Sequence, residues 1–387
     1  MRRSILISAG DASGDGHAAQ LVRVLRERLP EVHISGLGGP QMKAAGVEIL
    51  ADQSDLAVGG LLELSGSLRR ILRVWRSMTA AIAERDFDLL ILVDSGGFNL
   101  PLARRFKRKR CGPILYYVAP QVWAWRPGRK RKLAARVDRL AVIHPFEVEV
   151  WGETDLQAEF VGHPMADELR EFTHSLSPPN ARARVGMGEG GPIVALLPGS
   201  RRNEVEYHLP VMLQTACALH ERAPSLRFVL GLAASIERSQ VEVIVGEADL
   251  PADLELSVVE DETLCVLRAS QVALVKPGTV TMEALLLATP MVVMGRAHPV
   301  TAAILRRSLR VPWLAMPNLL ADREIVPEYL QGEARAGLLV DAVESLLHGP
   351  ARDAQLKSFE SVRESLGEEA VSEVARIVEK MLESASS

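Results

Sequence analysis

Several short stretches of this chain carry residue types that can do chemistry. Leu89-Leu-Ile-Leu-Val-Asp94 ends an apolar run on an aspartate. A carboxylate partly desolvated by its own strand is a competent general base, although the same residue could simply cap a turn. His17 is a rival base, with an exposed helix-start histidine as its bland alternative. Ile193-Val-Ala-Leu-Leu-Pro-Gly-Ser-Arg201 ends a second apolar run in Pro198-Gly199-Ser200 and runs into a helix near Asn203. The N–H groups of Gly199 and Ser200, the helix N-terminus and Arg201 would make a compact diphosphate site without a Walker lysine. An ordinary strand-to-helix turn with a solvated arginine is the alternative. Val272-Ala-Leu-Val-Lys-Pro-Gly-Thr279-Val-Thr-Met-Glu283 repeats the pattern. There Gly278 and Thr279 open a helix and Glu283, one turn in, can accept two sugar hydroxyls, although Thr279 and Thr281 could be plain caps. Together the two loops suit a nucleoside diphosphate, one for the phosphates and one acid for the ribose.

The N-terminal loop, Gly10-Asp-Ala-Ser-Gly-Asp-Gly16, follows an apolar run as a dinucleotide loop would. Its spacing is not G-x-G-x-x-G, and Asp11 and Asp15 would repel a pyrophosphate at the helix N-terminus, so hydroxyl groups are the better guess. Residues 100–140 hold 13 basic side chains against the single acid Asp138, with Trp123 and Trp125 among them. Such a surface suits nucleic acid, a membrane headgroup layer or a phosphorylated sugar. Residues 61–76 interleave Leu68, Ile71, Leu72 and Trp75 with Arg69, Arg70, Arg73 and Arg76, which fits either a helix packed on its own sheet or an interfacial helix.

The elements that must position these residues alternate between short apolar runs and amphipathic stretches, the pattern of α/β units on parallel sheets. Strands are expected at 4–9, 32–37, 88–94, 114–118 and 139–144, with helices at 17–29, 66–85 and 100–109. After the polar, proline-containing stretch Thr173–Asn180 the series restarts, with strands at 193–197, 227–232, 254–258, 271–275 and 291–294 and helices at 204–221 and 280–288. This predicts a first Rossmann-like domain over 1–172, a second over 181–350, and helices over 351–387 that pack back on the first domain or on a partner subunit. Ligands in such folds bind at the carboxyl ends of the strands, where the candidate residues fall.

At 387 residues the chain is too long for one ordinary core. Hydrophobic residues make up 48 % and charged residues 24 %, which argues for a soluble globular class. No apolar run approaches a membrane span and no signal-peptide core follows Met1, so the expected location is the cytoplasm. Cys111, Cys217 and Cys265 are far apart and read as reduced core thiols. Residues 1–180 carry 25 basic against 21 acidic side chains and the remainder 20 against 28, so the first half is the one suited to an anionic partner.

Across nearly its whole length the chain resembles the lipid-A-disaccharide synthases, bacterial glycosyltransferases of the two-domain GT-B type. The resemblance rests on Gly10-Asp-Ala-Ser-Gly-Asp15, Asp94 with Phe98-Asn99, Pro120-Gln-Val-Trp-Ala-Trp-Arg-Pro-Gly-Arg129, Val161-Gly-His-Pro-Met-Ala-Asp167, Leu196-Leu-Pro-Gly-Ser-Arg201 and Met316-Pro-Asn-Leu-Leu-Ala-Asp-Arg-Glu-Ile-Val-Pro-Glu328. It implies two parallel-sheet domains facing across a cleft, and transfer of 2,3-diacylglucosamine from its UDP derivative to 2,3-diacylglucosamine 1-phosphate (lipid X), with inversion and with no cofactor or metal. Asp94, Arg201 and Asn318 would be catalytic. Gly199, Ser200, Arg201, Gly278, Thr279, Glu283, Asn318, Arg323 and Glu324 would hold the UDP-sugar, and Asp11, Ser13, Gly14, Asp15, Asn99, Trp123, Trp125 and Arg126 the acceptor. The implied partners are the two lipid substrates and the cytoplasmic face of the inner membrane, without nucleic acid and with a homodimer left open. Three other readings compete: an enzyme like UDP-N-acetylglucosamine 2-epimerase, which has no use for the arginine-rich apolar stretch; a paralogue of the family with a different acceptor; and a peripheral membrane- or nucleic-acid-binding protein without catalysis.

Overall fold

The computed structural model describes residues 3–56, 64–109, 111–124 and 128–384. Its strands form two sheets, and every strand pair in both is parallel. The first sheet comprises β1 (Ser4–Ala9), β2 (His33–Gly38), β3 (Glu48–Asp52), β4 (Leu89–Val93), β5 (Ile114–Tyr117), β6 (Arg139–Val142) and β7 (Gln157–Phe160), in the order β3-β2-β1-β4-β5-β6-β7. The second comprises β8 (Ile193–Leu197), β9 (Arg227–Leu232), β10 (Leu256–Glu260), β11 (Val272–Val275), β12 (Met291–Gly295) and β13 (Glu328–Leu330), in the order β10-β9-β8-β11-β12-β13. The central strands are unbroken apolar runs, Leu89-Leu-Ile-Leu-Val93 and Ile193-Val-Ala-Leu-Leu197, because helices cover both faces of each sheet.

Edge strands β3, β7 and β13 were not expected from the sequence. They are short and only partly buried, so neither a long apolar run nor a clean alternation marks them. The first helix also begins earlier than expected, at Ala12 rather than 17, because Asp11 caps it. The polar Thr173–Asn180 stretch, after which the series restarts, holds the end of the helix Pro164–Ser175 and the start of the helix Pro178–Arg184, whose N-terminus Ser177 caps.

The chain forms two compact units: Met1–Pro164 with Leu366–Ser387, and Met165–Ser365. The helix Pro350–Ser365 belongs to the second unit, where the Gln355 amide bonds Met291 N–H and the carbonyls of Met291 and Ile325. The last helix, Ala370–Ser384, belongs to the first unit. Its Val374, Ile377, Val378 and Met381 join Ile5, Ile7, Val22 and Leu25 in one apolar cluster. Arg376 pairs with Glu159 at 2.6 Å on the strand β7.

This packing predicts that Ile377→Ala destabilises the first unit by about 2–5 kcal/mol, the usual cost of emptying a buried aliphatic site. Urea unfolding followed by tryptophan fluorescence tests it, since Trp75, Trp123 and Trp151 all lie in that unit.

Candidate active site

In the first sheet the strand order reverses beside β1, so the crossovers from β1 and β4 leave on opposite faces and open a crevice at their carboxyl ends. Asp94 and Ser95 follow β4 there with φ of 48° and 45°, the left-handed region that aspartate tolerates better than most residues. Tyr116 Oη donates to the Asp94 carbonyl at 2.5 Å, and Ser95 N–H donates to Asp94 Oδ1 at 2.7 Å. Burial, and then the charge of Asp11, raise the Asp94 carboxyl to about 6. It is thus ionised at neutral pH yet far more basic than an ordinary aspartate.

Around Asp94 the loop residues of the N-terminal motif are engaged in holding the backbone. Asp11 Oδ1 accepts from Gly14 N–H at 2.8 Å and its Oδ2 from Ser95 Oγ at 2.8 Å, joining the β1 and β4 loops. Asn99 is buried between the same two strands. Its Oδ1 accepts from Ser8 Oγ at 2.7 Å and its amide donates to the carbonyls of Ser8, Val93 and Asp94. Asp15, expected to face the acceptor, is buried and accepts from the N–H groups of Gly39, Gln41 and Met42, capping the helix Pro40–Ala44. Both side chains are saturated, which makes them positioning groups and removes them from direct acceptor contact. Gly14 is buried in the first helical turn, and Ser13 is exposed with its hydroxyl 3.4 Å from His17 Nε2. Burial lowers the basicity of His17.

A cavity of about 420 Å³ adjoins Asp94, lined also by Val118, Pro120, Arg129, His144 and Glu147. Glu147 was not anticipated. Its Oε1 accepts from Trp123 Nε1 at 3.0 Å and its Oε2 from His144 N–H at 3.1 Å, so it fixes the Trp123 ring, which also meets Phe146 edge-on at 4.9 Å. Burial raises Glu147 to about 7 and lowers His144 to about 4; His163, whose ring lies 5.3 Å from that of His144, falls to about 3 through burial and then the charge of His144. The partner that ties Glu147 to the tryptophan motif, Trp123, is 24 residues away, and sequence spacing could not supply it. Trp125 and Arg126, expected beside Trp123, lie outside the described residues.

The second sheet repeats the reversal beside β8, which pairs with β11. Gly199 has φ of 133°, and a Cβ there would meet Glu204 Oε2 at 2.4 Å, so the position requires glycine. Glu204 Oε2 accepts from Ser200 N–H at 3.0 Å, while its Oε1 lies 3.5 Å from both Arg201 and Lys276. A side-chain carboxylate therefore occupies the loop where a diphosphate was expected. His208, also missed in the sequence, donates from Nδ1 to the Pro198 carbonyl at 2.6 Å and accepts at Nε2 from Arg296 N–H at 3.0 Å. These two bonds require the neutral ring, consistent with burial lowering its basicity, and they tie the ends of β8 and β12.

Gly278 precedes the helix Thr279–Leu286 with φ of 144°; Thr279 is exposed and Glu283 half-buried. Burial, and then the charge of Glu168, raise Glu283 to about 7. Asn318, expected to be catalytic, is buried and saturated. Its Oδ1 accepts from Ile325 and Val326 N–H at 2.7 and 2.8 Å, and its amide donates to the Val326 carbonyl and to Glu328. Glu328 in turn accepts from Leu314 and Ala315 N–H ahead of the helix Met316–Ala321. The Pro-Asn-Leu-Leu motif thus builds a rigid loop, and exposes Arg323 and Glu324 at its turn, where Arg323 donates to Ser358 at 3.1 Å. Among the described residues no cluster of three or more His, Cys, Asp or Glu side chains is arranged for a metal ion.

A family model described as lipid-A-disaccharide synthetase matches residues 5–381. The lipid-A-disaccharide synthase of Geobacter sulfurreducens is 37 % identical over 98 % of this chain and 97 % of its own length. That of Anaeromyxobacter sp. (strain K) is 40 % identical over 94 % and 93 %. Among solved structures, Acinetobacter baumannii MurG superposes with a TM-score of 0.58 at 15 % identity, covering 98 % of this chain and 100 % of its own. The UDP-GlcNAc 2-epimerase of Neisseria meningitidis gives 0.62 at 11 % identity, covering 99 % and 100 %. At such identities the structures establish the fold, which is that of GT-B glycosyltransferases such as MurG, and the fold alone does not separate transferase from epimerase.

The raised Glu147 has a measurable signature. Between the ordinary glutamate value of 4.5 and about 7 the folded protein keeps a proton that the unfolded chain has released, so this group's contribution to stability falls as pH rises. Against Glu147→Gln, the wild type should lose about 1.4 kcal/mol per pH unit between about pH 5 and 7. The comparison cancels the opposite trend from His144 and His163; urea unfolding of both proteins at three pH values measures it.

Proposed function

The chain belongs to the lipid-A-disaccharide synthetase family and is a glycosyltransferase of lipid A synthesis; on that premise we propose which residues of each unit carry the reaction. The donor is UDP-2,3-diacylglucosamine and the acceptor is 2,3-diacylglucosamine 1-phosphate. The observation that carries this reading is Asp94, a carboxylate of raised basicity that lines a cavity of about 420 Å³. Asp94 takes the proton of the acceptor 6-hydroxyl as that oxygen attacks the anomeric carbon of the donor. The carbon–oxygen bond to UDP breaks with its electron pair going to the diphosphate. One displacement inverts the anomeric centre and yields a β-1,6-linked tetraacyl disaccharide 1-phosphate and UDP.

In the second unit the diphosphate competes with Glu204 for Ser200 N–H, Arg201 and Lys276, the groups that already face an anion in the free protein. Arg201 stabilises the leaving charge and Glu283 accepts the ribose hydroxyls. Gly199 and Gly278 let the backbone approach the nucleotide, Thr279 and the exposed pair Arg323 and Glu324 border it, and Asn318 acts by holding their loop. In the first unit Asp11 and Asn99 hold the Asp94 loop, Asp15 caps the helix Pro40–Ala44, and Ser13, Gly14 and Trp123 border the acceptor, with Trp125 and Arg126 assigned to it by the family resemblance alone.

The substrates are lipids, and no helix among the described residues is long and apolar enough to cross a membrane. The helix Leu64–Glu84 offers a peripheral contact. Val74, Met78 and Ile82 face its sheet while Leu68 and Leu72 are 58 % and 43 % exposed beside Arg69, Arg73 and Arg76. An apolar strip flanked by arginines suits the cytoplasmic leaflet's anionic headgroups, and nothing in the reading requires nucleic acid.

UDP release with the two acylated sugars tests the assignment. Asp94→Asn keeps the left-handed backbone tolerable and should cost at least about a hundredfold in kcat with the fold unchanged. Wild-type kcat/KM should rise with pH up to about 6 and then level, as an essential base ionises. No turnover with this pair, or turnover of non-acylated UDP-N-acetylglucosamine, would reject the assignment. In vesicle co-sedimentation, Leu68→Glu with Leu72→Glu should release the protein from anionic vesicles without altering its circular dichroism.

A further inference from the structure

The cavity that adjoins Asp94 is larger than a reacting hydroxyl needs, and among the described residues that line it is a cation whose purpose the packing does not explain. Arg129 lines it from the helix Gly128–Ala134, and its guanidinium has neither a hydrogen-bond nor an ion-pair partner among the described residues. Of the neighbouring basic side chains, Arg131 and Lys132 are exposed and do not line the cavity, and two others are committed elsewhere. Lys130 pairs with Glu153 at 2.6 Å, and Arg136 donates to the Leu100 carbonyl at 2.9 Å. The two acids of the cavity are held by other groups: Asp94 by Ser95, and Glu147 by Trp123 and His144. A half-buried, unpaired guanidinium retains all five donors for an incoming oxyanion and, unlike an ammonium, can grip it bidentately.

We propose that Arg129 is the specificity residue for the anomeric phosphate of the acceptor, gripping that phosphate while Asp94 faces the sugar's reacting hydroxyl in the same cavity. The inference rests on Asp94 being the acceptor's base. In a hexose 1-phosphate the C1 phosphate and the C6 hydroxyl flank the ring oxygen from opposite sides. One cavity with a cation on one part of its wall and a base on another reads both ends and sets which way round the sugar lies. Orientation of this kind is what turns a bound acceptor into a reacting one.

The test compares 2,3-diacylglucosamine 1-phosphate with its counterpart lacking the phosphate, each in detergent micelles with the full chain. Equilibrium binding is read by titration calorimetry and transfer by UDP release. Wild type should prefer the phosphorylated sugar at least tenfold in both Kd and kcat/KM. Arg129→Gln should bring that preference to within about twofold, Arg129→Lys should recover part of it, and the KM for the UDP-sugar should stay unchanged. Asp94→Asn should keep the binding preference and lose transfer. A preference retained by Arg129→Gln, or absent from the wild type, overturns the proposal. Should the wild type show the Arg129-dependent preference in binding yet transfer no sugar, the phosphate site stands and the assigned reaction fails.

Discussion

Where two crossovers leave a parallel sheet on opposite faces, the adjoining strand ends have no connection covering them, and their backbone polar groups still have to be satisfied. Both sheets of this protein meet that constraint with side chains. Asn99 and Asp11 tie β1 to β4 in the first, and His208 and Glu204 organise the ends around β8 in the second. The same bonds that stop these ends fraying hold the chemical groups in place. Asp94, in the left-handed region, has its carbonyl gripped by Tyr116 from the neighbouring strand β5 and by Asn99 from the helix that follows β4.

This division of labour explains why the most motif-rich segments contribute few free functional groups. Asp15, Asn99 and Asn318 are saturated within the fold, and each organises a loop whose exposed members are better placed to meet a ligand. Burial alters the acidity of several groups around these loops: Asp94, Glu147 and Glu283 are raised, and His144, His163 and His208 lowered. Low dielectric surroundings cost stability and confer reactivity, so such groups tend to gather at functional sites.

How much of this was legible beforehand follows from the range of each interaction. Central strands announce themselves as apolar runs, and the strand-end positions of Asp94, Gly199 and Gly278 followed from those runs. Edge strands β3, β7 and β13 bury too little to leave a pattern. Gly14 and Gly16 hid the start of the first helix, since glycine argues against a helix and the Asp11 cap that overrides it looks like one more loop residue. Glu147, His208 and Glu328 act through partners set by tertiary contact, so residue type and local spacing were silent about them. The apolar arginine-bordered stretch was ambiguous for the opposite reason: its helix both packs on the sheet through Val74 and exposes Leu68.

The final helix gives the first sheet a history in time. Met165–Ser365 is a continuous span that can fold as soon as it has been made, whereas the cluster around Ile5 and Leu25 waits for Ile377 and Val378. During synthesis, then, the first unit is begun first and completed only after the second has been made, and until the helix Ala370–Ser384 emerges the apolar face it covers is exposed to aggregation.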